Sequence, residues 1–330
     1  MQKASITGWG KYLPDKVLTN EDLEEMVDTS DEWIKSRTGI KQRYIAAKNQ
    51  TTGDLAYHAS QKALAKADLK AENLDMIIVA TVTPDMPFPA TSCILEDRLG
   101  AANAATFDLE AGCSGFVYGL SVASQFIETG MYDNILVVGA ETLSKIMDWE
   151  DRNTCVLFGD GAGAAVVQSV DHGGFMSFDL GSDGSGGDSL YMPGGGSLHP
   201  ATEKTVKDRL HYIKMEGNQV FKFAVKRMSQ SSIDVVNKAG YEPENVDLFI
   251  PHQANTRIIN SAAKRLNLED DEVYMNLPEY GNTSSASVPI AMAEARNKGL
   301  IKNGDKIVLV AFGAGLTWAS AFLEWNEEGK

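Results

Sequence analysis

Cysteine is scarce: Cys93, Cys113 and Cys155 are the only three in 330 residues, and no pair has CxxC spacing. That excludes a disulfide framework and a paired-thiol zinc or redox site. Long apolar runs are missing too. The longest, Met76 to Val82, falls far short of the roughly 20 residues that cross a bilayer, and the opening MQKASITGWGKYLP has no apolar stretch of signal-peptide length. A cytoplasmic protein with reduced thiols and no membrane partner is expected. Positive charge is in deficit: 30 Lys and Arg against 45 Asp and Glu give a net charge of -15. Nucleic acid and anionic membranes need a basic surface and are excluded as general partners, so an anionic ligand must meet a local cluster of cations. The hydrophobic share, 43%, is ordinary for a soluble globular chain, long enough for one large α/β domain or two packed halves.

What is present centres on EAGCSGFVYGL, Glu110 to Leu120. Ala104 to Leu109 reads as a strand and Phe116 to Ile127 as a helix, which puts Cys113 at the turn between them. A free thiol is only about 3% ionised at neutral pH, and a helix start favours the anion by up to ~2 kcal/mol. Gly112, Ser114 and Gly115 are small enough to let a substrate approach. A lone free cysteine is more often a small buried residue, and this stretch alone does not decide between the two readings.

Along the chain, Ser5 to Gly8 reads as a first strand, and Thr19-Asn20 caps a helix over Glu21 to Val27. TSDEWIKSRTGIKQR places Trp33 beside Lys35, Arg37 and Arg43. Such a group suits a flat ring carrying phosphate, although spacing alone favours a tryptophan packed on a solvated helix. Asp54 to Ala67 reads as an amphipathic helix and Asp75 to Thr83 as a buried parallel strand. The strongest organisational signal is an echo. ENLDMIIVA around Asp75 recurs as ENVDLFIPH around Asp247, and DNILVVGA from Asp133 recurs as DKIVLVAF from Asp305, both 172 residues on. One offset shared by two segments implies a duplicated domain. The same offset carries Cys113 to Ser285 in YGNTSSAS, so two related helix starts should face each other. Residues 1–175 form a first half, 176–213 a Gly- and Ser-rich connection or mobile flap, and 214–330 a second half.

FGDGAGAAVV, Phe158 to Val167, is not a dinucleotide loop: its glycines are spaced GxGxG, a strand follows instead of a helix, and no acidic ribose partner stands downstream. A tight turn between strands is expected there. In the second half His252 directly follows a buried strand in LFIPHQANTR, Asn282 lies at a helix start in EYGNTSSAS, and GAGLTW, Gly313 to Trp318, forms a glycine turn. Ligands of parallel α/β sheets bind beyond the carboxyl ends of strands, where Cys113, His252 and the Gly313 turn would all project. A lone histidine is usually structural; three such placements together point to a Cys-His-Asn site.

TSDEWIKSRTGI, AGCSGF, DWEDRNT, FGDGAGAAV, PHQANTRI, YGNTSSASVP and FGAGLTW run in order over nearly the whole chain, and together they closely resemble the β-ketoacyl-acyl-carrier-protein synthase III family. The resemblance implies the α/β thiolase-like fold, a duplicated five-layer α-β-α-β-α sandwich, and a homodimeric acyltransferase that starts fatty-acid synthesis. It implies Cys113 as nucleophile with His252 and Asn282, and an oxyanion hole from the backbone N–H groups of Cys113 and Ala314, where the family usually has glycine. The family also often has alanine at Ser114. By the same match Trp33 and Arg152 flank the CoA adenine, Arg37 lies near its phosphates, Asn218 and Asn255 border the pantetheine arm, and Phe88 shapes the acyl pocket of a partner protomer. The segment Gln253, Ala254, Asn255, Thr256, Arg257 corresponds to the carrier-protein contact. An acidic carrier protein needs cations on an acidic enzyme, and Lys222, Lys226, Arg257, Lys264 and Arg265 fall at helical spacing for such a patch. Acyl-CoA and malonyl carrier protein are the implied substrates; no cofactor or metal is expected. A degradative thiolase should carry a second cysteine in the last glycine turn, and Gly313-Ala314-Gly315 has none; a chain-extending synthase should carry histidine in place of Asn282. A plant-type polyketide synthase, and a non-catalytic acyl-CoA binder, stay open until products are analysed. The primer, acetyl-CoA or a short branched acyl-CoA, is not decided by sequence.

Overall fold

The structure, a computed structural model, describes residues 2–328. Its first sheet holds β1 (Lys3–Tyr12), β2 (Met76–Ala80), β3 (Ala105–Leu109), β4 (Asn134–Glu141) and β5 (Gly161–Val170) in the spatial order β1-β5-β4-β2-β3. β2 runs parallel to β3 and β4, while β5 is antiparallel to β1 and β4. The second sheet holds β6 (Gly174–Ser182), β7 (Leu248–Pro251), β8 (Lys306–Gly313) and β9 (Thr317–Glu324) in the order β7-β8-β9-β6. Helices α1 (Asp31–Thr38), α2 (Thr52–Lys66), α3 (Gly115–Glu128), α4 (Gly217–Lys238), α5 (Thr256–Arg265) and α6 (Ser287–Asn297) complete the frame.

Strand periodicity builds the layers, because successive side chains face opposite sides of a sheet. Ile78, Ile135 and Val137 turn inward onto Phe116, Leu120 and Ile127 of α3, and Ile250, Ile307 and Leu309 meet the same central core from the second sheet with Val288 and Met292 of α6. Their neighbours Ile77, Val79 and Leu136 turn outward under Leu55 and Ala59 of α2. Phe249, Val308 and Val310 turn outward under Met228 and Val235 of α4 and Ile258 of α5. Each such buried side chain stabilises the fold by roughly 1.5–3 kcal/mol relative to exposure, so both faces of both sheets must be covered. The result is five layers, α-β-α-β-α.

The sequence echo has a backbone cause. β2 and β7 start at Met76 and Leu248, β4 and β8 at Asn134 and Lys306, and α3 and α6 at Gly115 and Ser287, each pair 172 residues apart. Asp75 Oδ2 accepts the Asn134 N–H at 2.8 Å, and Asp247 Oδ2 accepts the Lys306 N–H at 2.7 Å. The repeated aspartate therefore closes the start of the neighbouring strand in both halves. The second sheet has reduced the counterpart of β3 to a single bridge, Phe249 to Val273.

Two local expectations change. The glycine run expected as a turn lies in β5, paired on both edges, because its alanines pack on both faces: Ala162 and Ala164 with the α2 layer, Ala165 and Val167 with the central core. The segment expected as a connection begins with β6, which pairs with β9 from Ser182 to Gly174 and so joins the second sheet.

Candidate active site

Two related turns meet at the centre. Gly112–Ser114 is a single 3-10 turn leading into α3, and Ser284–Ala286 is its counterpart leading into α6. Gly112 has φ +53° and Ser284 φ +50°, a left-handed conformation that glycine adopts freely and serine adopts at a cost of roughly 1–2 kcal/mol. Asn282, buried, is pinned by its backbone to Leu157 and Gly159, and its Oδ1 accepts the Ser284 N–H at 2.9 Å. That leaves Nδ2 as the donor end of the carboxamide.

His252 follows β7, its N–H donating to Val310 O at 2.7 Å. Its ring stands edge-on to Phe312, with centroids 5.3 Å apart, and neither ring nitrogen has a hydrogen-bond partner in the fold. Such an unpaired buried group costs about 1–3 kcal/mol, which a substrate supplying the partner recovers. Burial pushes the His252 pKa down to about 3, so the imidazole is neutral. The next residue ties this strand end to α6: the Gln253 N–H donates to Ser287 Oγ at 2.7 Å.

Phe312 leads into Gly313, where a Cβ would lie 2.3 Å from the Cys113 nitrogen. Glycine is required there for the last glycine turn to approach the Cys113 turn, and the approach brings the Cys113 and Ala314 backbones together. Thr317 clamps the two turns: its hydroxyl lies 2.8 Å from Ala111 O, 3.2 Å from Ala314 O and 3.2 Å from Ser114 Oγ. The serine at 114 thus adds one hydrogen bond between the turns that alanine lacks.

Burial pushes the Cys113 thiol up to about 12, the nearby Ser284 hydroxyl opposing and the Glu141 charge adding to the rise. The sequence pointed the other way, toward a thiol acidified by the start of α3; enclosure outweighs that effect in the free protein. Glu141 itself was not singled out from the sequence. It is fully buried at the end of β4, burial raises its pKa, and it accepts from Thr83 Oγ1 at 2.7 Å, Ser285 Oγ at 2.8 Å and Ser284 Oγ at 3.0 Å. The available signal was an acid closing the apolar run NILVVGAE, at a strand end.

The remaining sequence candidates lie outside this junction. Trp33, on α1, carries the Arg37 guanidinium 4.9 Å and the Arg152 guanidinium 5.2 Å from its ring centroid. Arg152 also donates to Asp28 O at 2.7 Å. Asn255 caps α5, its Oδ1 accepting the Arg257 N–H and its Nδ2 donating to Arg37 O, both at 2.9 Å, while Thr256 Oγ1 donates to Thr38 O at 3.3 Å. These bonds dock the start of α5 onto α1. Asn218 is exposed in the first turn of α4, and Phe88 is 84% exposed, outside the buried junction of its own chain. Lys222, Lys226, Arg257, Lys264 and Arg265 are all exposed, and none makes an ion pair among the described residues. The Arg257 guanidinium rests 5.0 Å from the Phe221 ring, which sets the α4 and α5 cations side by side. Ala254 is half-buried. Gln253 must be withdrawn from this docking surface. It is 1% exposed, its Nε2 donates to Pro251 O and Tyr274 O, and its Oε1 accepts from the N–H groups of Asn276 and Leu277, so the whole amide is used inside the fold.

The comparisons with known proteins agree with this geometry. Residues 107–184 match the family described as 3-oxoacyl-[acyl-carrier-protein] synthase III, and residues 236–325 match its C-terminal part. The chain is 64% identical over 325 residues to the beta-ketoacyl-[acyl-carrier-protein] synthase III of Caldanaerobacter subterraneus, covering 98% of each, and 55% identical over 330 residues to that of Desulfitobacterium hafniense, covering all of both. Among solved structures, the 3-oxoacyl-[acyl-carrier-protein] synthase III of Aquifex aeolicus superposes with a TM-score of 0.91 at 47% identity, over 98% of this chain and 100% of that one. The Thermus thermophilus enzyme gives 0.92 at 46%, with the same coverage. The five layers are those of the thiolase fold, and the chain belongs to the 3-oxoacyl-[acyl-carrier-protein] synthase III family.

Proposed function

We propose that the chain catalyses the first condensation of fatty-acid synthesis, joining an acyl-CoA primer to malonyl carrier protein with loss of CO2 through an acyl-Cys113 intermediate. The observation that carries the reading is the buried junction that joins a thiol, a carboxamide and a neutral imidazole from two related halves, together with the family relationship. The Cys113 thiolate attacks the thioester carbonyl, the C–S bond to CoA breaks, and the CoA thiolate leaves and takes a proton from solvent. Splitting the condensation into acyl transfer and carbon attack makes each step easier.

Malonyl carrier protein then binds. Its C–C bond to the carboxylate breaks, CO2 departs, and the electron pair moves onto the thioester oxygen as an enolate. The His252 N–H and Asn282 Nδ2 donate to that oxygen; a neutral imidazole is suited to this, since it donates without first having to be protonated. Losing one such donor typically costs about 2.7–4 kcal/mol. The enolate carbon attacks the acyl-Cys113 carbonyl, the second oxyanion is held by the N–H groups of Cys113 and Ala314, and the C–S bond breaks to return the thiolate.

Arg37, Arg152 and Trp33 supply cations and an aromatic face for the adenine nucleotide of CoA. At 5.2 Å Arg152 lies against the Trp33 ring, so a ring held between them requires the arginine to swing aside. Asn218, in the first turn of α4, and Asn255, whose amide already bridges α1 and α5, border the path of the pantetheine arm. The unpaired cations of α4 and α5 form the surface for the acidic carrier protein. We assign Phe88 to the acyl pocket of a second protomer in a homodimer, which its exposure favours. No helix among the described residues is long and apolar enough to cross a membrane. We assign the enzyme to the cytoplasm and its primer to acetyl-CoA or a short branched acyl-CoA. Incubation with radiolabelled acetyl-CoA tests the reaction: acid-stable label on Cys113 that malonyl carrier protein discharges as a 3-oxoacyl product supports it, and absence of label defeats it.

A further inference from the structure

The sequence groups Arg43 with Trp33, Lys35 and Arg37 as cations for a phosphate-bearing ring. The fold withdraws it. Arg43, in the strand Gln42–Ile45, is fully buried, and its guanidinium makes no ion pair among the described residues. Nη1 donates to Asn20 Oδ1 at 2.9 Å and to Leu18 O at 3.3 Å, Nη2 donates to Val156 O at 2.6 Å, and Nε has no partner. Burial lowers its pKa only to about 10, so the group is a cation at neutral pH. A buried cation that faces only neutral oxygens is a costly way to hold a hairpin, because an apolar side chain of similar size fills the place without desolvating a charge. What arginine adds is a planar fork that reaches several oxygens at once.

Beyond that fork lies the segment that holds Asn282. Val156 leads directly into Leu157 and Gly159, whose main-chain groups grip Asn282 from both sides. The Asn282 N–H donates to Leu157 O and the Gly159 N–H donates to Asn282 O, both at 2.9 Å, which makes a parallel bridge between Phe158 and Asn282. The stem of Arg43 packs against glycines on both sides of this bridge. A Cβ on Gly159 would lie 3.0 Å from Arg43 Cβ, and a Cβ on Gly281, which has φ +66°, would lie 3.2 Å from it. The neighbouring residue continues the contact, since the Asp160 N–H donates to Tyr44 O at 2.8 Å.

We propose that Arg43 is a positioning residue for Asn282: it fixes the 156–159 segment and, through that segment, the carboxamide that donates to the enolate. The proposal rests on Asn282 being that donor. Arg43 is enclosed and acts on the reaction only through the backbone it holds. Without the Val156 bond the segment is free to move, the two hydrogen bonds that set the Asn282 backbone move with it, and Nδ2 leaves its place. The other groups of the site hang from different anchors. The Cys113 turn is held by Thr317 on Ala111 O, and His252 by its N–H on Val310 O, neither of which Arg43 touches. Acyl transfer to Cys113 is therefore independent of Arg43, and decarboxylation is not.

The test compares the two half-reactions in the full-length enzyme: acetylation of Cys113 at saturating acetyl-CoA, and CO2 release from malonyl carrier protein in a single turnover of the acetylated enzyme. Arg43→Met should acetylate within about twofold of the wild-type rate and release CO2 on the order of 10-fold to 10²-fold more slowly. In an Asn282→Ala background the same change should slow CO2 release by less than about twofold, because a positioning residue then has nothing left to position. Arg43→Lys keeps a buried cation with one donor and guards against misfolding of the methionine variant; it should slow the same step by a smaller factor. Hydrogen–deuterium exchange, read on the peptides that carry the Gly159 and Asn282 N–H groups, should quicken in both variants. Equal slowing of the two half-reactions overturns the proposal, as does a loss that multiplies in full with that of Asn282→Ala, or unchanged exchange at those two N–H groups. Quickened exchange together with normal CO2 release by Asn282→Ala defeats only the enolate role of the carboxamide, so the two claims fail separately.

Discussion

Gly112 and Ser284, 172 residues apart, occupy the same left-handed backbone position in two equivalent turns, at φ +53° and +50°. The duplication thus extends to single dihedral angles at the place where the two halves meet. One turn has glycine there and presents Cys113; the other has a serine whose hydroxyl donates to Glu141 Oε1 at 3.0 Å. Asn282 is fixed by that second turn through the Ser284 N–H, so a thiol and a carboxamide are placed by one pseudo-symmetric feature.

The division of roles predicts a division of defects. Cys113→Ala should abolish acyl transfer. His252→Ala and Asn282→Ala should still form acyl-enzyme while malonyl decarboxylation falls about 10²-fold or more, as for loss of an oxyanion donor. Single-turnover acylation and CO2 release, measured separately, check this; normal decarboxylation by Asn282→Ala would refute the enolate role.

The cations of α4 and α5 should matter to one substrate only. Lys222→Glu combined with Arg257→Glu should raise the apparent KM for malonyl carrier protein about tenfold and leave acyl-CoA kinetics unchanged. Equal effects on both substrates would remove the docking assignment, and the wild-type KM should rise with ionic strength.

The contact between the last glycine turn and the Cys113 turn predicts intolerance at Gly313. A Cβ there would fall 2.3 Å from the Cys113 nitrogen, so Gly313→Ala must displace one turn or the other. Misplacement of about 1 Å costs roughly 10²-fold in rate. Ser114→Ala, which removes only the 3.2 Å bond to Thr317, should lose about 1 kcal/mol of stability or less and retain activity. Thermal unfolding with steady-state rates distinguishes the two.

His252 links the fold to pH. Its pKa is near 3 in the folded protein against an ordinary 6.5, so between those values the unfolded chain binds the extra proton. The stabilising contribution is complete above pH 6.5 and is lost as pH falls toward 3. The wild type should therefore lose thermal stability over that range more steeply than His252→Gln. A matching slope in the variant would show that the imidazole is not held neutral.

Much of this was legible in the sequence for identifiable reasons. The repeated Asp75 and Asp247 reflect a hydrogen bond each half must make at a strand start, and residues under such local constraint keep their spacing. Cys113, His252 and Asn282 could be singled out because strand ends and helix starts announce themselves by pattern. Burial does not. The rise in the Cys113 pKa, the use of the Gln253 amide inside the fold, and the Thr83, Ser284 and Ser285 hydroxyls around Glu141 depend on residues more than 20 positions apart closing over one another. The same holds for β5, whose small residues read locally as a turn and are instead demanded by helices on both of its faces.

The central claim is tested most directly by following acetyl groups on the intact enzyme. After incubation with acetyl-CoA, mass spectrometry should find one acetyl group per chain, on the peptide bearing Cys113, and added malonyl carrier protein should discharge it with release of CO2 and a 3-oxoacyl carrier protein. An acetyl group on any other residue, or product formed by the Cys113→Ala variant at the wild-type rate, would contradict the account.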